Sequence, residues 1–282
     1  MRVFLLTVLT MLAFASNSIL TRLAVEGGHA DAISFAVVRV LAGAAMLVFL
    51  VAAKKQTLPW RGRNRVLGAA SLLVYMIGFS LAYISLDAGL GALILFGVVQ
   101  ITMFSYAAVA SKHPTARQLF GAGIAFIGLV IALWPSGGAQ GDIAGAALMV
   151  LAGFGWAAYT ISGKSENNPL AATGANFALC LPVLAVLAIP FYEFMSVYGL
   201  MLAILCGAVT SGLGYALWYL VLSDIPQNIA AVVQLSVPII AIAGGALLLG
   251  ETITLDIVVA AAFVVFGIAL AVTTQFPLVG RK

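Results

Sequence analysis

Charge is what this chain has least of: 13 Lys and Arg and 9 Asp and Glu among 282 residues, 8 % of the total. A soluble domain carries roughly 25 % charged residues, so a large core inside a solvated skin is excluded. Cysteine and histidine are as scarce, at two each. Neither Cys180 nor Cys206 has a metal-ligating neighbour at a useful spacing, so both read as buried small hydrophobes. His29 and His113 fall in different connections, expected on opposite sides of the membrane, and no HExxH or GxSxG motif occurs. Without a base, nucleophile or metal cluster, an enzyme is not expected. The Gly-rich stretch Ser136-Gly-Gly-Ala-Gln-Gly141 has no strand before it and no P-loop lysine, so no nucleotide or other cofactor is expected.

What fills the chain instead is hydrophobic, 63 % of all residues, with a mean hydropathy of +1.17. A helix needs roughly 20 apolar residues to cross the hydrocarbon, and only helices or closed barrels satisfy their backbone groups in lipid. The runs are near-continuous, without the period-two alternation of a barrel strand. Spans are predicted over residues 3–25, 32–53, 64–87, 89–110, 118–135, 141–162, 169–190, 197–221, 225–249 and 253–274. The fold class is an all-α integral membrane protein with ten transmembrane helices. Its longest connection, Lys54 to Arg63, is too small to fold by itself. Ala13-Phe14-Ala15 has the form of a signal-peptide cleavage site. The n-region holds a single Arg, however, and the apolar run continues past the site, so the first span is expected to be retained.

The net charge of +4 is distributed by side rather than gathered for nucleic acid. With the N-terminus in the cytoplasm and ten crossings, Arg2, Lys54, Lys55, Arg61, Arg63, Arg65, Lys112, Arg117, Lys164, Arg281 and Lys282 share the cytoplasmic side. Arg22 and Arg39 lie towards the other face, where Glu26, Asp31, Asp87, Asp142, Glu193, Glu251 and Asp256 gather. The positive-inside rule then places both termini in the cytoplasm, and the expected location is the inner (cytoplasmic) membrane.

Val98-Val99-Gln100-Ile101-Thr102 in the fourth span is echoed by Val232-Val233-Gln234-Leu235-Ser236 in the ninth. Phe126-Ile-Gly-Leu129 is echoed by Val265-Phe-Gly-Ile268, with a gapped register. Five spans per unit is an odd number, so the units 1–137 and 138–282 are expected to insert in opposite senses. Inverted repeats of this kind hold substrate at the repeat interface near the midplane. The segment Ser211-Gly-Leu-Gly-Tyr-Ala-Leu-Trp-Tyr219, with Leu235-Ser-Val-Pro238 and Leu249-Gly-Glu-Thr252, resembles the second repeat of the drug/metabolite transporter superfamily (EamA type). Leu95-Phe-Gly-Val-Val-Gln-Ile-Thr-Met103 and Ala172-Thr-Gly-Ala-Asn-Phe177 are similar to the branch containing the YddG-like amino-acid exporters. One departure is that Lys112 and His113 stand where a counterpart of Gly250-Glu251 is expected. The resemblance implies ten helices around a central cavity, alternating access, and export of amino acids or similar small metabolites.

Polar side chains at mid-depth are costly and in a transporter usually face an aqueous path. Gln100 and Gln234 each offer a donor and an acceptor near the middle of a span. They either read a zwitterion or bond one helix to another. Asn17, flanked by Ser16 and Ser18, and the ring pair Trp156 and Tyr159 are candidate cavity residues; Trp156 can cover an ammonium by cation–π attraction. Tyr75, Ser80, Tyr83, Tyr215 and Asn176 join them, whereas Trp218 reads as an interfacial anchor. Arg39 lies about two turns inside its helix. Its planar fork suits a carboxylate, and the competing reading pairs it with Glu26 or Asp31 or with backbone carbonyls. Gly97, Pro182 and Pro238 are candidate hinges, the prolines because each removes a backbone donor. Gly121, Ala125 and Gly128 form a small-residue stripe that fits packing within the chain or between two copies, so monomer and homodimer both stand. The rival function is a proton-coupled multidrug cation exporter. It wants a carboxylate at depth, and every Asp and Glu here falls at or beyond a predicted helix end.

Overall fold

The computed structural model describes residues 1–110, 115–133, 142–163, 166–191, 195–225 and 233–272, all of whose regular structure is helical. Lys112, His113, Lys164, Glu193, Arg281, Lys282 and the Ser136–Gly141 loop lie outside the described residues. The helices are α1 (Arg2–Val25), α2 (Ala32–Ala53), α3 (Arg63–Ala82), α4 (Ala88–Ala110), α5 (Ala116–Leu133), α6 (Ile143–Gly163) and α7 (Pro169–Ala188). A composite rod follows, made of α8 (Val197–Ile204), the π-helix π1 (Leu205–Leu213) and α9 (Gly214–Asp224). Then come α10 (Ser236–Leu249) and α11 (Leu255–Val272). Seven of these rods are long and apolar enough to cross a membrane, and Ala116–Ala132, Ser236–Leu249 and Leu255–Ala271 are shorter apolar helices.

Local chemistry sets the ends. Asp31 caps α2, its Oδ1 accepting from Ile33 N (3.0 Å) and Ser34 N (2.8 Å). Asn168 caps α7, with Pro169 in the first turn where its missing N–H costs nothing. Ser196 caps α8 by accepting from Gly199 N at 3.0 Å. Gly250 closes α10 at φ 72°, a left-handed conformation that glycine tolerates without a Cβ clash. The predicted third span overshoots, because the chain leaves the helix at Tyr83 and turns through Asp87 to start α4.

Two hinge candidates lie in unbroken helix: Gly97 in α4, where a Cβ would press on the Leu129 side chain, and Pro182 in α7. At Pro238 the expected interruption is present three residues upstream. Val233 and Gln234 are helical, Leu235 is a turn, and helix resumes at Ser236. The proline ring clashes with the carbonyl of the residue four back, which here is Gln234.

The rods pack α2 on α7, α3 on α6, α4 on α6 and α10, α5 on α11, and α1 on α10 and on the composite rod. The Gly121 stripe is used within the chain. A Cβ at Gly121 would meet Gly267 O at 2.6 Å, and one at Gly128 would meet Val264 N at 2.8 Å, so α5 and α11 lie backbone to backbone.

Candidate functional site

Arg39 of α2 is completely buried. Its Nε donates to Ser211 Oγ (3.2 Å) and its Nη2 to the Tyr75 hydroxyl (3.2 Å), while Nη1 has no hydrogen-bond partner among the described residues. The guanidinium carbon lies 4.9 Å from the Phe79 ring centroid and 5.7 Å from that of Tyr75. The expected pairing with Glu26 or Asp31 is not what forms. Asp31 is committed to its helix cap, and none of the ion pairs among the described residues includes Arg39.

Ser211 passes the contact on, donating to Asn17 Oδ1 at 3.1 Å. The same oxygen accepts from Thr210 Oγ1 (2.7 Å) and from the Cys206 thiol (3.3 Å). The π1 segment makes this convergence possible. Its i→i+5 winding places Ser211 one turn after Cys206, beside Thr210 rather than round the rod from it. Close approach of π1 to α2 needs Gly207, since a Cβ there would collide with the Arg39 carbonyl oxygen.

Aromatic rings close the other side. Trp156 lies between Tyr159 (5.5 Å between centroids, 28° between planes) and Tyr215 (5.2 Å, 26°), with Tyr75 tilted against it at 4.9 Å. Tyr215 also meets Phe14 and Phe177 edge-on. Trp218 belongs to this interior. It is buried with its ring 5.9 Å from Phe14, so the interfacial-anchor reading is corrected. Both cysteines are buried as expected, and each thiol donates, Cys180 to Ala69 O at 3.1 Å.

Of the predicted residues, Asn17, Arg39, Tyr75, Trp156, Tyr159 and Tyr215 thus form one connected cluster. Asn176 stands at one end of it. Its Oδ1 accepts from Arg65 Nη1 (3.0 Å), which also reaches Ala172 O (2.8 Å), and Arg65 Nη2 pairs with Glu166. A cleft there is lined by Arg65, Tyr159, Glu166, Thr173, Asn176 and Tyr219, and Tyr159 and Tyr219 both bond Thr173 Oγ1 at 2.8 Å. Tyr83 belongs to the opposite end, its hydroxyl donating to Ala88 O at 3.3 Å. Ser80 is fully buried, and its hydroxyl has no partner among the described residues. Gln100 and Gln234 are half-buried on α4 and just before the α10 break.

Near Tyr83 a second ionic cluster ties the end of α1 to two connections. Arg22 donates to the carbonyls of Tyr83 (3.3 Å) and Ile84 (3.2 Å) and pairs with Asp87 (3.6 Å) and Glu251 (4.0 Å). Glu251 accepts from Ala88 N (2.7 Å) and Gly89 N (3.4 Å), so the acidic residue after α10 caps α4. Burial pushes the Glu251 carboxyl above its usual range. It does the same to Asp87, where Arg22 pulls back and Glu26 adds to the rise. Arg22, Arg65, Cys206, Thr210 and Ser211 were not singled out by the sequence as site residues.

A polytopic helical membrane protein with a buried polar and aromatic cluster, tied at both ends by ion pairs, has the makings of a transporter of small molecules. The chain belongs to the EamA-like transporter family, within the drug/metabolite transporter superfamily. The family profile matches residues 143–273. An uncharacterized protein of Pseudomonas aeruginosa is 42 % identical over 284 residues, covering 100 % of this chain and 98 % of that one. An uncharacterized transporter of Archaeoglobus fulgidus is 26 % identical over 246 residues, covering 82 % and 85 %. A solved crystal structure superposes with a TM-score of 0.69 over 94 % of this chain and 97 % of the other, at 14 % identity, a likeness of fold alone.

Proposed function

We propose that this chain is a secondary transporter that exports amino acids or related small metabolites across the cytoplasmic membrane by alternating access. Its two inverted units, 1–137 and 138–282, close around a central substrate path, and both termini face the cytoplasm. The observation that carries the reading is the cluster itself. Asn17, Arg39 and Tyr75 of the first unit meet Trp156, Ser211 and Tyr215 of the second, deep between helix ends.

The packing pattern supports the repeat. Exchanging the units maps the α2–α7, α4–α10 and α5–α11 pairs onto themselves. It maps α3–α6 onto the pairing of the composite rod with α1, and α4–α6 onto α10–α1, and each of these contacts is present. Against a proton-coupled cation exporter, the described carboxylates lie at helix ends and the deep charge is the cation Arg39.

The test is saturable uptake of labelled amino acids, nucleosides and quaternary ammonium compounds into liposomes holding the purified protein, with and without a pH gradient. Amino acids are expected to move, with the rate reduced in Gln100→Ala or Trp156→Ala. Intact uptake in both variants, or transport confined to lipophilic cations, would count against it.

A further inference from the structure

We infer that Arg39 is the receptor for a carboxylate, so that the transported solute is a carboxylic acid anion whose negative charge is required for binding. This rests on the transporter reading above and names the chemistry of its substrate.

A guanidinium cannot shed its proton inside a protein, and an uncompensated charge in a low-dielectric interior is costly. Tyr75, Ser211 and the faces of Phe79 and Tyr75 solvate part of it. All of these are neutral groups. The other arginines drawn into the described structure, Arg65 buried and Arg22 half-buried, each have a carboxylate. Arg39 alone among those three has none among the described residues, and its fully buried Nη1 keeps both N–H groups unbonded there.

The geometry also fixes which edge is offered. Nε is taken by Ser211 and one Nη2 proton by Tyr75, which holds the guanidinium plane in place and turns the Nη1 end outward from those bonds. Arg presents parallel N–H pairs to both oxygens of a carboxylate. The Tyr75 ring beside the guanidinium, with Trp156 packed against Tyr75 and Tyr215 against Trp156, suits the apolar body of such a solute. A cation would meet Arg39 as a like charge, which disfavours it.

The experiment compares ligands that differ only at the acid. Purified protein in detergent is titrated with phenylalanine, N-acetylphenylalanine, phenylalaninamide and phenethylamine, reading tryptophan fluorescence and thermal stability. The acids are expected to bind the wild type and the amide and amine to fail, a comparison that needs no variant to fold. Arg39→Gln is expected to weaken acid binding by about thirtyfold or more, the effect of losing one partner of a buried charge pair. Arg39→Lys, which keeps the charge without the fork, is expected to fall between. Equal responses to acid and amide in the wild type, no response to either acid, or undiminished acid binding in Arg39→Gln would overturn the assignment. If acids bind through Arg39 while no solute crosses liposomes, the transport reading fails and the assignment of Arg39 as a carboxylate receptor stands. If amides are carried as well as acids, transport stands and this one fails.

Discussion

Replacing Ser211 by alanine removes the acceptor for Arg39 Nε while sparing Asn17, whose Oδ1 still receives Thr210 and Cys206. A buried donor left without a partner costs about 1–3 kcal/mol, so Ser211→Ala is expected to lower the melting temperature in detergent, with Thr210→Ala as the comparison. Gly207→Ala acts through sterics alone. The new Cβ meets the Arg39 carbonyl and, at 2.8 Å, the Ala42 Cβ, and overpacking of this kind costs about 1–3 kcal/mol. Its melting temperature should fall although no polar contact is removed. These two residues also mark the limit of sequence reading. Asn17, Arg39, Tyr75, Trp156, Tyr159 and Tyr215 were legible because a polar or amphipathic side chain at mid-depth is conspicuous. Ser211 was not, because α-helical spacing turns it away from Cys206, and only the π winding brings the two together. Arg65 was hidden among the basic residues expected on the cytoplasmic side, whose predicted placement concerns orientation and says nothing about which one folds inward.

At the scale of elements, the connections carry the charge chemistry. The approximate limits of the described helices follow from hydropathy, and the caps Asp31, Asn168 and Ser196 sit at the predicted starts of their helices. The contacts between connections do not follow, because nothing in local sequence says that Glu251 will cap α4 or that Arg22 will reach two carbonyls after α3. That cluster has a pH signature. Burial raises the carboxyls of Asp87 and Glu251 above their usual 3.8 and 4.5, and Arg22 offsets this only in part. The folded, closed cluster therefore holds protons more tightly than the unfolded or solvated one. Its contribution to stability is complete below the usual values and is lost as pH rises through the raised ones. Melting temperature is expected to decline across that window, and the double variant Asp87→Asn with Glu251→Gln should flatten the decline. A melting temperature that climbs over the same interval, or a slope untouched by the double variant, would contradict the assignment.

For the molecule as a whole, the two ionic clusters lie at opposite ends of the Arg39 cluster, and the alternating access proposed above would require that they break one at a time. Arg22 joins the end of α1 to the α3–α4 turn and to Glu251 after α10, whereas Arg65 joins the start of α3 to Glu166 and α7. Removing Arg22 leaves Asp87 and Glu251 facing each other without their cation, which biases that end towards opening. Cys206 is a built-in reporter, being buried and bonded to Asn17 within the cluster. In a Cys180→Ala background it is the chain's remaining thiol, and a membrane-impermeant thiol reagent applied to right-side-out vesicles reads its exposure to the outer face. Arg22→Gln is expected to raise the labelling rate at least about fivefold, the factor given by ~1 kcal/mol of lost ion-pair bias. Arg65→Gln should leave labelling from that face at the wild-type rate or below it, and raise it only in inside-out vesicles. Acceleration of both variants from the same side would mean that the clusters brace the bundle without gating it. Any opening of the bundle would then have to occur somewhere else.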